Sequence, residues 1–169
     1  SASTIWITGF EHGLPPVTTI GEPDLVTLGS GVNFSTTTVR SGGFSLFANT
    51  ANLSRVFADP FGPSVGTITC RVYAQFSVTP SPGATIFYST STTTLMSVIW
   101  DGANMKVTSS GAGFGDVVGT KAITSGVWYR IDVAYDKADG GVGKVWVDGV
   151  LDINTTHTGA QANVTRFSL

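Results

Sequence analysis

The carboxylates of this chain are few, and their spacing bears on whether it can cleave a sugar chain. Glu11 and Glu22 are the only glutamates, and both lie in segments containing glycine or proline near the start of the sequence. Asp132 and Asp136 share one side of a predicted strand, but four strand residues separate them by about 13 Å. A glycoside hydrolase holds its two carboxyl groups about 5 to 9.5 Å apart. No catalytic pair is therefore predicted, although a pair assembled from aspartates on different strands stays open.

The histidines and the cysteine offer no second kind of reaction centre. His12 and His157 are the only histidines, and both stand in polar or glycine-rich segments, which predicts exposed loop positions. Neither has a neighbour in sequence that would complete a metal site or a Ser-His-Asp relay. Cys70 is the only cysteine, so a disulfide within the chain is excluded, and its apolar surroundings predict a buried thiol. We therefore expect no catalytic residues, and a protein that is not an enzyme.

The composition limits the class of protein further. The chain has 169 residues, of which 41% are hydrophobic and 12% are charged, about half the usual charged share. A net charge of −2 offers no basic surface for nucleic acid or for an anionic membrane. No apolar run approaches the ~18 residues of a membrane-spanning helix. No linker, repeat or shift in composition divides residues 1–169, so we expect a single domain with neither nucleic acid nor membrane as a partner.

Period-two alternation recurs along the chain, whereas helical periodicity is nearly absent. In the segment TITCRVYAQFSV, Ile68, Cys70 and Val72 fall on one face, and Arg71 and Tyr73 fall on the other. Such alternation is typical of a half-buried strand in an antiparallel sheet. The sequence therefore predicts an all-β protein.

Turn residues separate the predicted strands at short, regular intervals. Asp101-Gly102 and Asp148-Gly149 predict tight hairpin turns, because glycine supplies the positive φ that such turns need. Regular strands of this kind indicate an antiparallel β-sandwich or jelly roll. The segment GEPDLVTLGSG is predicted to be a loop. Early strands are predicted at Thr4–Phe10, Val32–Val39 and Gly43–Ala48.

The hairpin Trp128–Val150 divides into two faces. Its first strand places Tyr129, Ile131, Val133 and Tyr135 toward the core, by the same alternation. The opposite face then carries polar side chains and tryptophans. An outward aromatic ring beside polar groups suits a sugar, because the ring packs on the C–H face of a pyranose while polar groups bind its hydroxyls. The candidate ligand-binding residues are Trp146, Arg130, Asp132, Arg71 and Tyr73. Packing of Trp146 against further strands or against another subunit is the alternative.

The segment VWYRIDVAYDKADGGVGKVWVDGVLDI resembles laminin-G-like and concanavalin A-like domains, as do TGFEHG and VRSGGFSLFA nearer the start. The resemblance implies a sandwich in which Trp128 packs internally. It also implies a closing strand, which is hard to find after ANVTRFSL, so the domain is expected to be cut short or completed by another chain. Calcium is a further implication, since several such domains bind it with loop carboxylates. Loop aspartates are present at Asp101, Asp116, Asp139 and Asp148. Asp-Gly turns already explain two of them, and no clustered run of acidic ligands is present, so we expect no metal and no cofactor, and calcium stays open as the alternative.

Two functions compete on this basis. The first is a non-catalytic module that binds carbohydrate or another cell-surface ligand on an extracellular or virion surface. The second is a phage virion component of the head, fibre or tail that assembles as a homo-oligomer or with other virion proteins. A glycoside hydrolase is the third and is disfavoured by the carboxylates.

Overall fold

The computed structural model describes three stretches of the chain with their side chains, at residues 66–75, 95–109 and 113–162. It also describes the backbone of further strands at residues 26–27, 32–35, 45–48, 56–57, 84–90, 94 and 166–168. The described part contains strands and turns and no α-helix. None of it forms a helix long and apolar enough to cross a membrane.

In chain order, the described strands are β1 (Val26–Thr27), β2 (Val32–Ser35), β3 (Ser45–Ala48), β4 (Val56–Phe57), β5 (Thr67–Gln75), β6 (Ala84–Thr90), β7 (Thr94–Trp100), β8 (Asn104–Thr108), β9 (Val117–Ala122), β10 (Trp128–Asp136), β11 (Val142–Val147), β12 (Val150–Thr156) and β13 (Arg166–Ser168).

Two antiparallel sheets dominate the architecture. One has four strands in the order β12-β11-β10-β5, and the other has five in the order β13-β6-β7-β8-β9. The pairs β1-β4 and β2-β3 form two small two-stranded sheets. Consecutive strands pair as hairpins through most of the larger sheets, which is the pattern expected where tight turns join them.

The core lies between the two larger sheets. Its residues form one continuous cluster that includes Met96 and Val98 of β7, Val107 of β8, and Ile131 and Val145 of the four-stranded sheet. The alternation in β10 is complete, with every second residue buried. Burial of the apolar side of each sheet is the main stabilising contribution, at about 25 cal/mol per Å² of apolar surface. The predicted all-β antiparallel sandwich is thus confirmed, while its narrower description as a jelly roll stays a prediction.

The two Asp-Gly turns adopt the conformations that the sequence predicts. Asp148 and Gly149 have φ values of 53° and 85°, the pair of positive values that defines a type I′ hairpin turn. At the other turn Gly102 has φ of 117°, and the Asp101 carboxylate accepts hydrogen bonds from the amides of Ala103 and Asn104 at 2.9 and 2.8 Å. These bonds hold the pKa of Asp101 below its usual value.

A β-bulge in β12 joins the edges of the two sheets. Val145 pairs with Ile153 and Trp146 with Leu151, so Asp152 is the additional residue. Its Oδ1 accepts hydrogen bonds from the amides of Thr120 at 2.8 Å and Lys121 at 2.9 Å. These amides belong to β9, the edge strand of the five-stranded sheet. The carboxylate therefore pairs with backbone donors of an edge that has no neighbouring strand in the described part of the chain.

The strands near the two ends of the chain can be compared with those predicted from the sequence. Val26–Thr27 forms a short strand inside the segment predicted to be a loop. Within ANVTRFSL, Arg166–Ser168 forms a strand that pairs antiparallel with β6. The strands Val32–Ser35 and Ser45–Ala48 lie within the ranges predicted at Val32–Val39 and Gly43–Ala48, whose other positions lie outside the described residues. Thr4–Phe10 and His12 lie outside the described residues.

His157 is a larger correction, because it is buried rather than exposed, with 1% of its surface accessible. Its Nε2 and Nδ1 atoms lie 2.7 and 3.0 Å from the carbonyl oxygens of Asp136 and Gly159. Phe114 packs edge-on against the imidazole, and Tyr135 stacks on it. The ring is therefore part of the core, because the backbone around it supplies polar partners that offset the cost of burial.

Cys70 lies on the core side of β5, half-buried rather than fully buried. Burial, with a smaller contribution from the charge of Asp132, raises the pKa of its thiol to about 11. The thiol is therefore protonated near neutral pH and is a weak nucleophile.

Candidate functional site

The strand register gathers all five predicted ligand-binding residues on the outer face of the four-stranded sheet. Asp132 in β10 is paired with Arg71 in β5 on one side and with Trp146 in β11 on the other. Tyr73 in β5 pairs with Arg130 in β10. Because residues two apart on a strand share a face, these residues form two adjacent rows across the sheet. The sequence pattern had suggested this face, and the register supplies the neighbours.

Asp132 is shared between two guanidinium groups. Arg71 Nε donates a hydrogen bond to its Oδ1 at 2.5 Å, and Arg130 Nε donates one to its Oδ2 at 2.9 Å. The hydrogen bond from Arg71 to Asp132, followed by the charge of that carboxylate, raises the pKa of Arg71. The side chains of Arg71, Arg130 and Asp132 are 58%, 34% and 20% exposed. Each charge therefore has a partner while the group stays accessible to a ligand.

The tight turn after β11 supplies the wall of the site next to Arg130. The Arg130 amide donates a hydrogen bond to Asp148 Oδ1 at 2.9 Å, and the Asp148 amide donates one to the Arg130 carbonyl at 2.8 Å. A Cβ atom at Gly149 would lie 2.6 Å from Arg130 Nη2. Glycine at this position therefore serves two purposes, because it allows the positive φ and leaves room for the guanidinium.

A shallow depression of about 220 Å³ lies at this end of the face. Tyr73, Trp128, Arg130 and Asp148 line it. Trp128 is half-buried on the outer face, which corrects the expectation that it packs internally. Tyr73 is 38% exposed. The depression thus combines two aromatic rings with a cation and a carboxylate.

The depression does not include the residue that the sequence favoured for ligand binding. Trp146 is half-buried on the same face, beside Asp132, but does not line the depression. Trp128 and Asp148 do line it, and neither is among the five ligand-binding residues predicted from the sequence. The signal for Trp128 was present in its strand parity, since it shares a face with Arg130 and Asp132. Asp148 gave no separate indication of binding, because the Asp-Gly turn already accounts for an aspartate at that position.

The described carboxylates do not form a cluster suited to a metal ion. Among these residues, no group of three or more His, Cys, Asp or Glu side chains is arranged to hold one. Asp116, one of the loop aspartates considered for calcium, pairs instead with Lys106. Asp139 accepts a hydrogen bond from the Gly159 amide at 2.7 Å.

Comparison with known proteins gives the class of fold and no family. No protein-family model matches the sequence, and no curated protein sequence matches it. Solved structures do match. One is the crystal structure of an endo-β-1,4-glucuronan lyase from the fungus Trichoderma reesei, with a TM-score of 0.57 and 11% identity over 88% of this chain and 78% of that one. Another is the receptor-binding domain of botulinum neurotoxin type G, with a TM-score of 0.59 and 11% identity over 88% of this chain.

These likenesses show the fold alone. The chain covers only 38% of the neurotoxin domain's chain. At 11% identity, a shared sandwich says nothing by itself about the site, because one fold hosts many activities. The chain is therefore an all-β sandwich, and its function has to be argued from the outer face of the four-stranded sheet.

Proposed function

We propose that this chain is a non-catalytic module that binds carbohydrate on the outer face of its four-stranded sheet. The observation that carries the proposal is the depression in which Tyr73 and Trp128 flank Arg130 and Asp148. Aromatic rings that stay partly exposed offer flat apolar surfaces to the C–H face of a sugar ring. The charged groups beside them offer donors and acceptors for hydroxyls.

The row formed by Arg71, Asp132 and Trp146 extends this surface across the sheet. Cross-strand neighbours lie about 5 Å apart, and the next residue on the same face of a strand is about 6.6 Å away. Tyr73 and Trp146 are two strands and one row apart, which separates their Cα atoms by about 12 Å. A saccharide of several units therefore reaches from the depression to Trp146.

The solved structures are compatible with a role of this kind and do not specify it. One neighbour is, by its title, a lyase that acts on glucuronan, and the other is a receptor-binding domain. The proposal includes membership of the laminin-G-like or concanavalin A-like domains and a location on an extracellular or virion surface.

The lack of catalysis is part of the proposal. Each oxygen of Asp132 already accepts a hydrogen bond from an arginine, and Asp148 Oδ1 accepts one from a backbone amide. A general acid or base must be directed at the bond being cleaved. These carboxylates are instead directed at the protein, which favours a binding role.

Protein–protein assembly, including a virion role, is the second candidate, and a specific observation favours it. Val150 and Leu151 at the start of β12 are 70% and 47% exposed, and Val118 in β9 is 50% exposed. Because β9 and β12 meet at Asp152, apolar side chains lie on both strands of this sheet edge, and exposed apolar patches mark contact surfaces.

Glycan-array screening of the full chain tests the carbohydrate proposal, followed by calorimetry with the glycans that bind. Trp128→Ala and Tyr73→Ala are expected to weaken binding at least tenfold, which is about 1.4 kcal/mol. Trp146→Ala should weaken the binding of long oligosaccharides more than that of short ones. Lys121→Ala, an exposed residue of β9 in the other sheet, is the control and should bind like the wild type.

Other outcomes would contradict the two candidate functions. Absence of glycan binding by the wild type, or binding that Trp128→Ala and Tyr73→Ala leave intact, rejects this face as a sugar site. Light scattering of the same samples addresses the second candidate, for which a strict monomer without affinity for other virion proteins is the contrary result.

A further inference from the structure

The candidate site holds equal numbers of positive and negative groups in fixed positions. Arg71 and Arg130 contribute the two cations, and Asp132 and Asp148 contribute the two anions. Lys144 and Asp136 lie farther along the same face and again have opposite signs. A ligand in the depression therefore meets a surface that is strongly polar but has no net charge.

Asp132 determines which N–H donors of the two guanidinium groups remain available to a ligand. It accepts the Nε–H of Arg71 on one oxygen and the Nε–H of Arg130 on the other. A guanidinium binds a carboxylate best through two parallel N–H donors, and the pair formed by Nε and one terminal nitrogen is one of these forks. Asp132 occupies the Nε donor of both arginines, so neither can offer this fork to a ligand.

The remaining groups suit hydroxyls better than carboxylates. The terminal nitrogens of the arginines still donate, while Asp148 contributes a carboxylate to the wall of the depression. A hydroxyl both donates and accepts, so it can bind both kinds of group at once. A carboxylate on the ligand only accepts, so it can bind the terminal nitrogens of the arginines but cannot donate to Asp148, whose like charge opposes it.

We infer that Asp132 is the specificity-determining residue of this face and makes it select uncharged saccharides over acidic ones. The inference rests on the proposed function and names the class of sugar that the site takes. In this arrangement Asp132 is a positioning residue, because it acts by occupying Arg71 and Arg130 rather than by holding the sugar itself.

The depression is consistent with recognition of a single unit of such a saccharide. Its volume of about 220 Å³ is below the 300 to 1,000 Å³ typical of sites for drug-sized ligands. The rest of the chain would lie along the row through Asp132 toward Trp146. An acidic group on a unit that lies along this row would therefore approach Asp132.

The test compares matched oligosaccharides that differ only at C6, as gluco-oligosaccharides and their glucuronic acid counterparts, by calorimetry at low and high salt. The wild type should bind the neutral series at least tenfold more tightly. Asp132→Asn removes the anion and retains the shape of the side chain, and it should improve binding of the acidic series about tenfold, with the gain lost at high salt. Arg71→Ala should act in the opposite direction and weaken acidic binding further.

Controls keep the outcomes distinct. Asp116→Asn breaks the ion pair with Lys106 away from this face and should leave the selectivity unchanged, and circular dichroism verifies that each variant folds. Preference of the wild type for acidic sugars, or a selectivity that Asp132→Asn does not alter, overturns the inference while leaving carbohydrate binding intact. Binding of neither series rejects the proposed function and this inference together.

Discussion

Gly119 of β9 and Asp152 of β12 fit against each other where the two large sheets meet. Gly119 is buried, and a Cβ atom placed on it would collide with the Asp152 carboxyl group. The same carboxylate accepts hydrogen bonds from the amides of Thr120 and Lys121. The missing side chain at one residue therefore makes room for the carboxylate that joins the sheets.

Gly119→Ala should destabilise the protein by about 1 to 3 kcal/mol, because the methyl group forces the Asp152 carboxylate out of its position. The free energy of unfolding from urea denaturation measures the effect. Gly115→Ala is the matched control, since nothing lies within 4 Å of a Cβ there, and it should change the stability by less than about 0.5 kcal/mol. Equal free energies of unfolding for the two variants would show that the sheet edge accommodates the methyl group without loss of stability.

Asp152→Ala should cost about 1 to 3 kcal/mol, since the amides of Thr120 and Lys121 lose their acceptor. Asp116→Ala, which breaks an exposed ion pair with Lys106, should have a much smaller effect in the same urea titration, because solvent screens an exposed pair. In the double variant with Gly119→Ala the losses should not add, because removal of the carboxylate creates the space that the methyl group needs. Additive losses would contradict the contact.

The sequence was sufficient for features that depend on neighbours along the chain. Alternation in Trp128–Asp136 predicted which side chains are buried, because a strand has a fixed period of two. The Asp148-Gly149 turn followed from its dipeptide. The face carrying Arg130, Asp132 and Trp146 was therefore predictable.

Features set by distant contacts were not predictable in this way. His157 sits in a polar segment, and its burial depends on Asp136 and Phe114, which come from other parts of the chain. Phe114 lies in a glycine-rich segment that gave no sign of a core position, yet it is buried. The sharing of Asp132 between two arginines required the pairing of β5 with β10, which no local pattern specifies.

His157→Ala should destabilise the protein by roughly 3 kcal/mol, because it leaves a cavity beside Phe114 and Tyr135 and removes the ring nitrogens that lie against two backbone carbonyl oxygens. Urea denaturation at neutral pH measures the loss. Thr156→Ala, an exposed neighbour in β12, should shift the stability by less than about 0.5 kcal/mol. If His157→Ala has the same free energy of unfolding as the wild type, the result contradicts the buried position and agrees with the exposed loop position that the sequence predicts.

Tyr135→Phe should leave the stability at pH 7 unchanged or raise it. The Tyr135 hydroxyl is buried and has no hydrogen-bond partner in the described part of the chain, so its removal eliminates an uncompensated polar group. Tyr129→Phe is the matched control, because its hydroxyl accepts a hydrogen bond from the Thr124 amide at 2.8 Å, and it should cost about 1 kcal/mol.

The same variant should also change the response to alkali. Burial, followed by the charge of Asp136, raises the pKa of Tyr135 to about 12, above the usual value of about 10. The folded state therefore favours the neutral phenol, and stability is fully present below pH about 10 and is lost as the pH rises toward 12. Tyr135→Phe removes this titration, so its stability should fall less steeply across that range in urea titrations at successive pH values. Parallel pH profiles for the variant and the wild type would contradict the buried phenol.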